Sequence, residues 1–145
     1  MLEPVLVLII GLIGGVAVGL QSPIAGAMGQ RIGGTASSVI VHLSGLILSL
    51  ILLVFRGGEK IQNWASLPWY MLGAGFFGLV LYQTINVTLP RLGATAMLML
   101  IIIGQLLTGV LLDTFGWLGV TPRPVELSRV LGILLLMAGG YLVLK

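Results

Sequence analysis

The sequence has no cysteine and very little charge. Without cysteine there is neither a disulfide framework nor a thiolate metal site. Charged residues make up 8% of the chain, whereas a soluble domain carries roughly 25%, so a water-facing surface cannot be built from these residues. The few charges also avoid the middle of the long apolar runs, which argues against ion-driven transport through a midplane carboxylate. No Ser-His-Asp set, no His/Glu metal pair at helical spacing and no phosphate-cradling loop is present, so an enzyme, a metal and a cofactor are not expected. No cluster of basic residues points to nucleic acid. Ala25-Gly26-Ala27 has the look of a small-residue cleavage site, but no Lys or Arg precedes the apolar run before it, and a secretory signal carries a positive first region. A cleaved leader is therefore not expected.

What the chain has is apolar length. Hydrophobic residues are 58% of it, and the solvent that suits such a composition is the lipid bilayer. Crossing a hydrocarbon core of roughly 30 Å takes about 20 apolar residues in a helix. Cutting the chain at its charges and loop signals gives five spans, about 4–21, 34–55, 67–89, 92–112 and 126–144. The breaks are Arg31-Ile-Gly-Gly, Arg56-Gly-Gly-Glu-Lys, Pro90-Arg-Leu-Gly and the stretch from Phe115 to Pro124. The first helix has room to run on towards residue 29, with Pro23 bending it. Pro124 and Glu126 suit the start of the fifth. A transmembrane barrel would need alternating strands, and these runs do not alternate. The expected fold is thus an all-α integral membrane protein of five transmembrane helices in a single transmembrane domain, residues 1–145.

Orientation follows the Lys/Arg count of the loops. Arg56, Lys60, Arg123 and Arg129 fall on one side, and Arg31, Arg91 and Lys145 on the other. So small a difference leaves two readings open. Other cues fix one topology, or the chain inserts both ways and pairs with an inverted copy.

Small residues recur every four positions at Gly11, Gly15 and Gly19 on the first helix and at Ala74 and Gly78 on the third. In lipid such spacing lets helix backbones approach closely, so helix packing is the expected role. On the second helix Thr35, Ser38, His42, Gly45 and Ser49 share one face, which should turn towards the bundle or a wet cavity. His42 lies about ten residues into its span, roughly 15 Å deep at 1.5 Å per residue. It either bonds a neighbouring helix as a neutral ring or handles substrate or protons. Tyr82, Gln83 and Asn86 on the third helix and Gln105 and Thr108 on the fourth either tie helices together or line a polar site. The sequon Asn86-Val-Thr88 falls inside a span and is set aside.

From Leu67 onwards the chain carries a run of more specific elements. These are Leu-Pro-Trp-Tyr-x-Leu-Gly-Ala-Gly-Phe-Phe-Gly, then Leu89-Pro90-Arg91-Leu92-Gly93-Ala94, Gly104-Gln105-Leu106, Asp113-Thr114-Phe115-Gly116-Trp117-Leu118-Gly119 and Pro122-Arg123-Pro124. Together they resemble the YdcZ-like family, the five-helix, half-length branch of the drug/metabolite transporter superfamily. That resemblance implies a bacterial inner (plasma) membrane transporter, an exporter of small organic molecules. It also implies that five helices form one repeat unit of an inverted-repeat fold, with a second copy supplying the other half as an antiparallel homodimer. On this reading His42, Gln83, Asn86 and Gln105 line the substrate cavity and Tyr82 offers a stacking surface. A passive dual-topology pore and a non-transporting membrane assembly partner are the rival readings.

Overall fold

The computed structural model describes residues 2–145, and among them every regular element is helical. Helix α1 (Leu2–Ile32) and helix α2 (Gly34–Phe55) are separated by a single non-helical residue, Gly33. A 3₁₀ turn (Ile61–Ser66) and a one-turn helix α3 (Trp69–Leu72) lead to α4 (Gly75–Phe115), and α5 (Leu127–Leu144) closes the chain. Among the described residues, four stretches are long and apolar enough to cross a membrane: Glu3–Ile32, Gly34–Phe55, Trp69–Phe115 and Leu127–Leu144.

The first helix takes the longer of the two courses open to it, running on through Pro23 past residue 29 to Ile32. Proline in a membrane helix is tolerated where neighbouring helices re-satisfy the freed backbone group, and the turn around Pro23 is packed, with Ser22, Ala25 and Gly26 all buried. The expected helix 67–89 is broken by the turn at Gly73 and Ala74, and from Gly75 its remainder forms one helical interval with the expected 92–112, interrupted at Gly93, whose φ of 76° and ψ of 171° are non-helical. A residue with a Cβ rarely adopts that backbone conformation, so the glycine allows the break.

The end of α2 is built by local chemistry. The N–H of Gly58 donates to the carbonyl of Leu53 at 2.8 Å and that of Gly57 to the carbonyl of Val54 at 3.0 Å. This is the Schellman pattern, with Gly57 in the left-handed region at φ 70°. It satisfies carbonyls that would otherwise be orphaned at a helix end.

The chain divides into two compact units, one ending at Leu89 and the other running from Pro90 to Lys145. In the first, α1 and α2 pack as neighbours. In the second, Gly140 of α5 is buried, and a Cβ there would meet Ile103 Cδ1 at 2.8 Å and Met99 Cγ at 3.2 Å. The loop after Phe115 is held by Arg129, which donates to Asp113 at 2.9 Å, and by the Arg123 N–H, which donates to the Asp113 carbonyl at 2.7 Å. The Phe115 and Trp117 rings stack at 4.9 Å in the same loop.

Few side chains are fully buried, and Ile85 and Met97 are the large apolar ones. Leu, Ile, Val and Phe side chains lie exposed along all the long helices. Water does not tolerate apolar patches of that extent on a monomer, so this surface is the lipid contact.

Candidate functional site

The first unit gathers four of the five polar side chains expected at a site. His42 sits on α2, and its Nδ1 lies 2.7 Å from the Ser38 carbonyl and 3.2 Å from the Ser38 hydroxyl. A carbonyl only accepts, so Nδ1 carries a proton and donates to it. The tip of the ring lies over Gly78 of α4, where a Cβ would be 2.6 Å from Nε2. Tyr82, one turn further along α4 and 7% exposed, meets the imidazole edge-on at a centroid distance of 5.3 Å. Glycine at 78 therefore makes room for the histidine, which gives this small residue its place.

Gln83 and Asn86 converge on the corner between α1 and α2. Gln83 Nε2 donates to the Thr35 hydroxyl at 3.0 Å. Asn86 Nδ2 donates to the Tyr82 carbonyl one turn back at 2.7 Å. A Cβ at Gly34 would stand 2.7 Å from Asn86 Nδ2 and 2.8 Å from Gln83 Oε1. Gln30 Nε2 reaches the Asn86 carbonyl at 2.9 Å. Asn86 Oδ1 is shut off from solvent with no hydrogen-bond partner among the described residues, and it lies over Gly29, where a Cβ would fall on the amide itself. The oxygen is thus directed at the Gly29 backbone, whose Cα–H is a weak donor of the kind that recurs at helix contacts.

Beside His42 a groove of about 360 Å³ opens between α2 and the start of α4, lined by Thr35, Ser38, Val39, His42, Phe76 and Leu79 among others. It combines an aliphatic wall, one aromatic ring and the polar face of α2. Such a mixture, mostly apolar with a few convergent polar groups, is the usual make-up of a small-molecule site.

Not every residue singled out in the sequence joins this cluster. Gln105 is exposed on α4 beyond Gly93, in the second unit. Ala74 lies in the turn before α4 and so does not share a helical face with Gly78. A Cβ at Gly11, Gly15 or Gly19 would meet nothing within 4 Å, so these three open no close contact within the chain. The close approaches occur about two and three turns after Gly19, at Gly26 against Ile85 and Leu89 and at Gly29 against Asn86. Sequence reasoning missed Ala25, Gly26, Gly29 and Ser37. Ser37 is fully buried and donates to the Ala25 carbonyl at 2.7 Å. The signal that could have found them is the continuation of small residues from Ser22 to Gly29, which passes for a loop beside Pro23. Among the described residues no group of His, Asp and Glu is arranged to hold a metal ion.

The model of the family described as "Putative inner membrane exporter, YdcZ" matches residues 6–142. No curated protein and no solved structure matches the chain.

Proposed function

Because the chain belongs to the YdcZ family of inner membrane exporters, we propose that it exports small organic molecules by alternating access, as an antiparallel homodimer. It is a multi-pass protein of the inner membrane, and a transport family is not an enzyme class. The observation that carries the reading is the imidazole of His42, held by Ser38 and lining a groove well inside the apolar span of α2. A polar side chain well inside an apolar span is as a rule partnered or functional. Here Nδ1 is partnered, while the exposed ring is available to a molecule in the groove. His42, Gln83 and Asn86 line the substrate path and Tyr82 supplies its stacking face. Gln105 is included on its chemistry alone.

Five crossings accommodate the helices. The 47 residues of Trp69–Phe115 would extend about 70 Å at 1.5 Å per residue, more than twice the hydrocarbon thickness of about 30 Å. That stretch crosses twice, turning at Gly93. The five helices then make one repeat unit of the drug/metabolite transporter fold, and a second copy in the opposite orientation completes the pair. Inverted units that rock about a midplane site are the general device of such transporters. The open stripe at Gly11, Gly15 and Gly19 gives the second copy a surface it can approach closely.

A cavity with amides, a hydroxyl and an imidazole but no carboxylate, ammonium or guanidinium suits neutral, zwitterionic or weakly charged molecules. Everted membrane vesicles should therefore accumulate radiolabelled neutral and zwitterionic compounds with saturable rates, and exclude strongly cationic ones. Flux that rises without saturation would make the protein a pore, and no flux with a stable heterologous complex would make it an assembly partner. For the pairing, single cysteines placed at Gly58 and beside Lys145 should both be partly labelled by an impermeant maleimide on intact cells, since the native chain has no cysteine. Labelling at one site alone would rule out dual insertion.

A further inference from the structure

The end of α2 carries a second groove, separate from the one beside His42. It holds about 430 Å³ and is walled by Leu46, Leu50, Leu53 and Ile61, with Arg56 and Glu59 at its mouth. We propose that this groove holds a phosphatidylethanolamine molecule of the surrounding bilayer, one acyl chain along the aliphatic wall and the zwitterionic head between Arg56 and Glu59.

Depth, charge and backbone geometry favour that occupant. Helix α2 has 22 residues, about 33 Å of rise, which matches a hydrocarbon core of roughly 30 Å. Arg56, the residue after it, therefore stands at the level of lipid headgroups, and Leu46 to Leu53 lie below it at acyl depth. The following segment carries Trp64 and Trp69, both well exposed, and exposed tryptophans are the mark of the membrane interface.

The charges at the mouth are of both signs. Arg56 and Glu59 face each other at 3.2 Å, with side chains 64% and 53% exposed. An exposed pair of this sort is weakly held, so opening it to admit a ligand costs little. A guanidinium matches a phosphate, and a carboxylate matches a primary ammonium. Phosphatidylethanolamine presents both at the spacing of one short linker. Phosphatidylglycerol would leave Glu59 facing an anion, and phosphatidylcholine offers a quaternary nitrogen with no N–H to donate. The backbone holds the pair in place: Gly57, Gly58 and Glu59 have φ of 70°, 80° and 46°, a tight reversal that brings Glu59 back towards Arg56. A non-glycine residue with positive φ is uncommon, and here it positions a carboxylate at the groove.

The inference rests on membrane insertion alone and not on what the protein carries. It is tested by native mass spectrometry of the full chain, purified in mild detergent and mixed with equal amounts of phosphatidylethanolamine, phosphatidylglycerol and phosphatidylcholine of one acyl composition. The wild type should retain phosphatidylethanolamine several-fold over either competitor. Arg56→Gln should lose the phospholipid adducts, and Glu59→Gln should abolish the preference and raise phosphatidylglycerol. Arg123→Gln, on the second unit, should bind as the wild type does. Equal retention of the three lipids, a preference for phosphatidylglycerol, or a phosphatidylethanolamine adduct that survives both groove substitutions would overturn the assignment.

Discussion

Replacing Gly29 by alanine is expected to destabilise the first unit by about 1–3 kcal/mol, the usual cost of forcing an extra carbon into a filled contact. The new Cβ would fall on the Asn86 carboxamide. That group has little freedom to yield, because its Nδ2 is bonded to the Tyr82 carbonyl and the backbone carbonyl of the same residue is held by Gln30. Either α1 moves away from the start of α4, or Asn86 gives up its bond to Tyr82 and leaves a polar group unpaired in an apolar setting. The measurement is unfolding of the purified protein in mixed micelles, titrated with dodecyl sulfate and followed by circular dichroism. The cause is isolated by repeating the change in an Asn86→Ala background, where the penalty should fall by more than half. An undiminished penalty there would mean that the contact with Asn86 is not what makes glycine necessary.

Converting His42, Gln83, Asn86 and Gln105 together to leucine is expected to abolish export, with the protein still present in the membrane. Each substitution makes the span more apolar, so insertion should not suffer. The loss would come from the cavity, which would retain its walls and lose its hydrogen-bonding groups. His42 separates the contributions. His42→Leu removes the imidazole and its hydrogen-bonding nitrogens and should lower the transport rate at sub-saturating substrate by about tenfold or more, since leaving a buried polar partner unmatched costs about 1–3 kcal/mol. His42→Gln keeps a polar group at similar reach and should recover part of the rate. Gly78→Ala, which changes no polar group but pushes the ring tip, should fall between them. Full activity in the fourfold variant would exclude these side chains from the substrate path.

Much of the architecture is legible from the sequence because lipid imposes simple rules. Every backbone polar group must be satisfied within the segment, so long uncharged runs become helices, and they did at 34–55 and at Leu127–Leu144. The family could also be read, because its most specific residues cluster after Leu67 and the matching region covers residues 6–142. Of the α2 face read from periodicity, Thr35, Ser38 and His42 line one groove, whereas Ser49 lines the other and a Cβ at Gly45 would meet nothing within 4 Å.

Other features could not be read from periodicity. Spacing places Gly11, Gly15 and Gly19 on one face but cannot say whether anything rests on it, and no neighbour lies within 4 Å of where a side chain would begin. Glycines at 26 and 29, hidden beside a proline, take the close contacts instead.

The sequence by itself determined the solvent, the helical class and the family, since composition and local periodicity are properties of the chain taken a few residues at a time. The tertiary structure alone decided that Asn86 rests on Gly29, that His42 stands over Gly78, and that Arg56 and Glu59 close the mouth of an aliphatic groove. For His42 and Asn86 the reason is contact across elements: these pairings join residues dozens of positions apart, and which side chain meets which glycine depends on how the helices approach one another. For Arg56 and Glu59 it is the reversal of the backbone after α2, which brings the two charges together over a wall built by the helix itself.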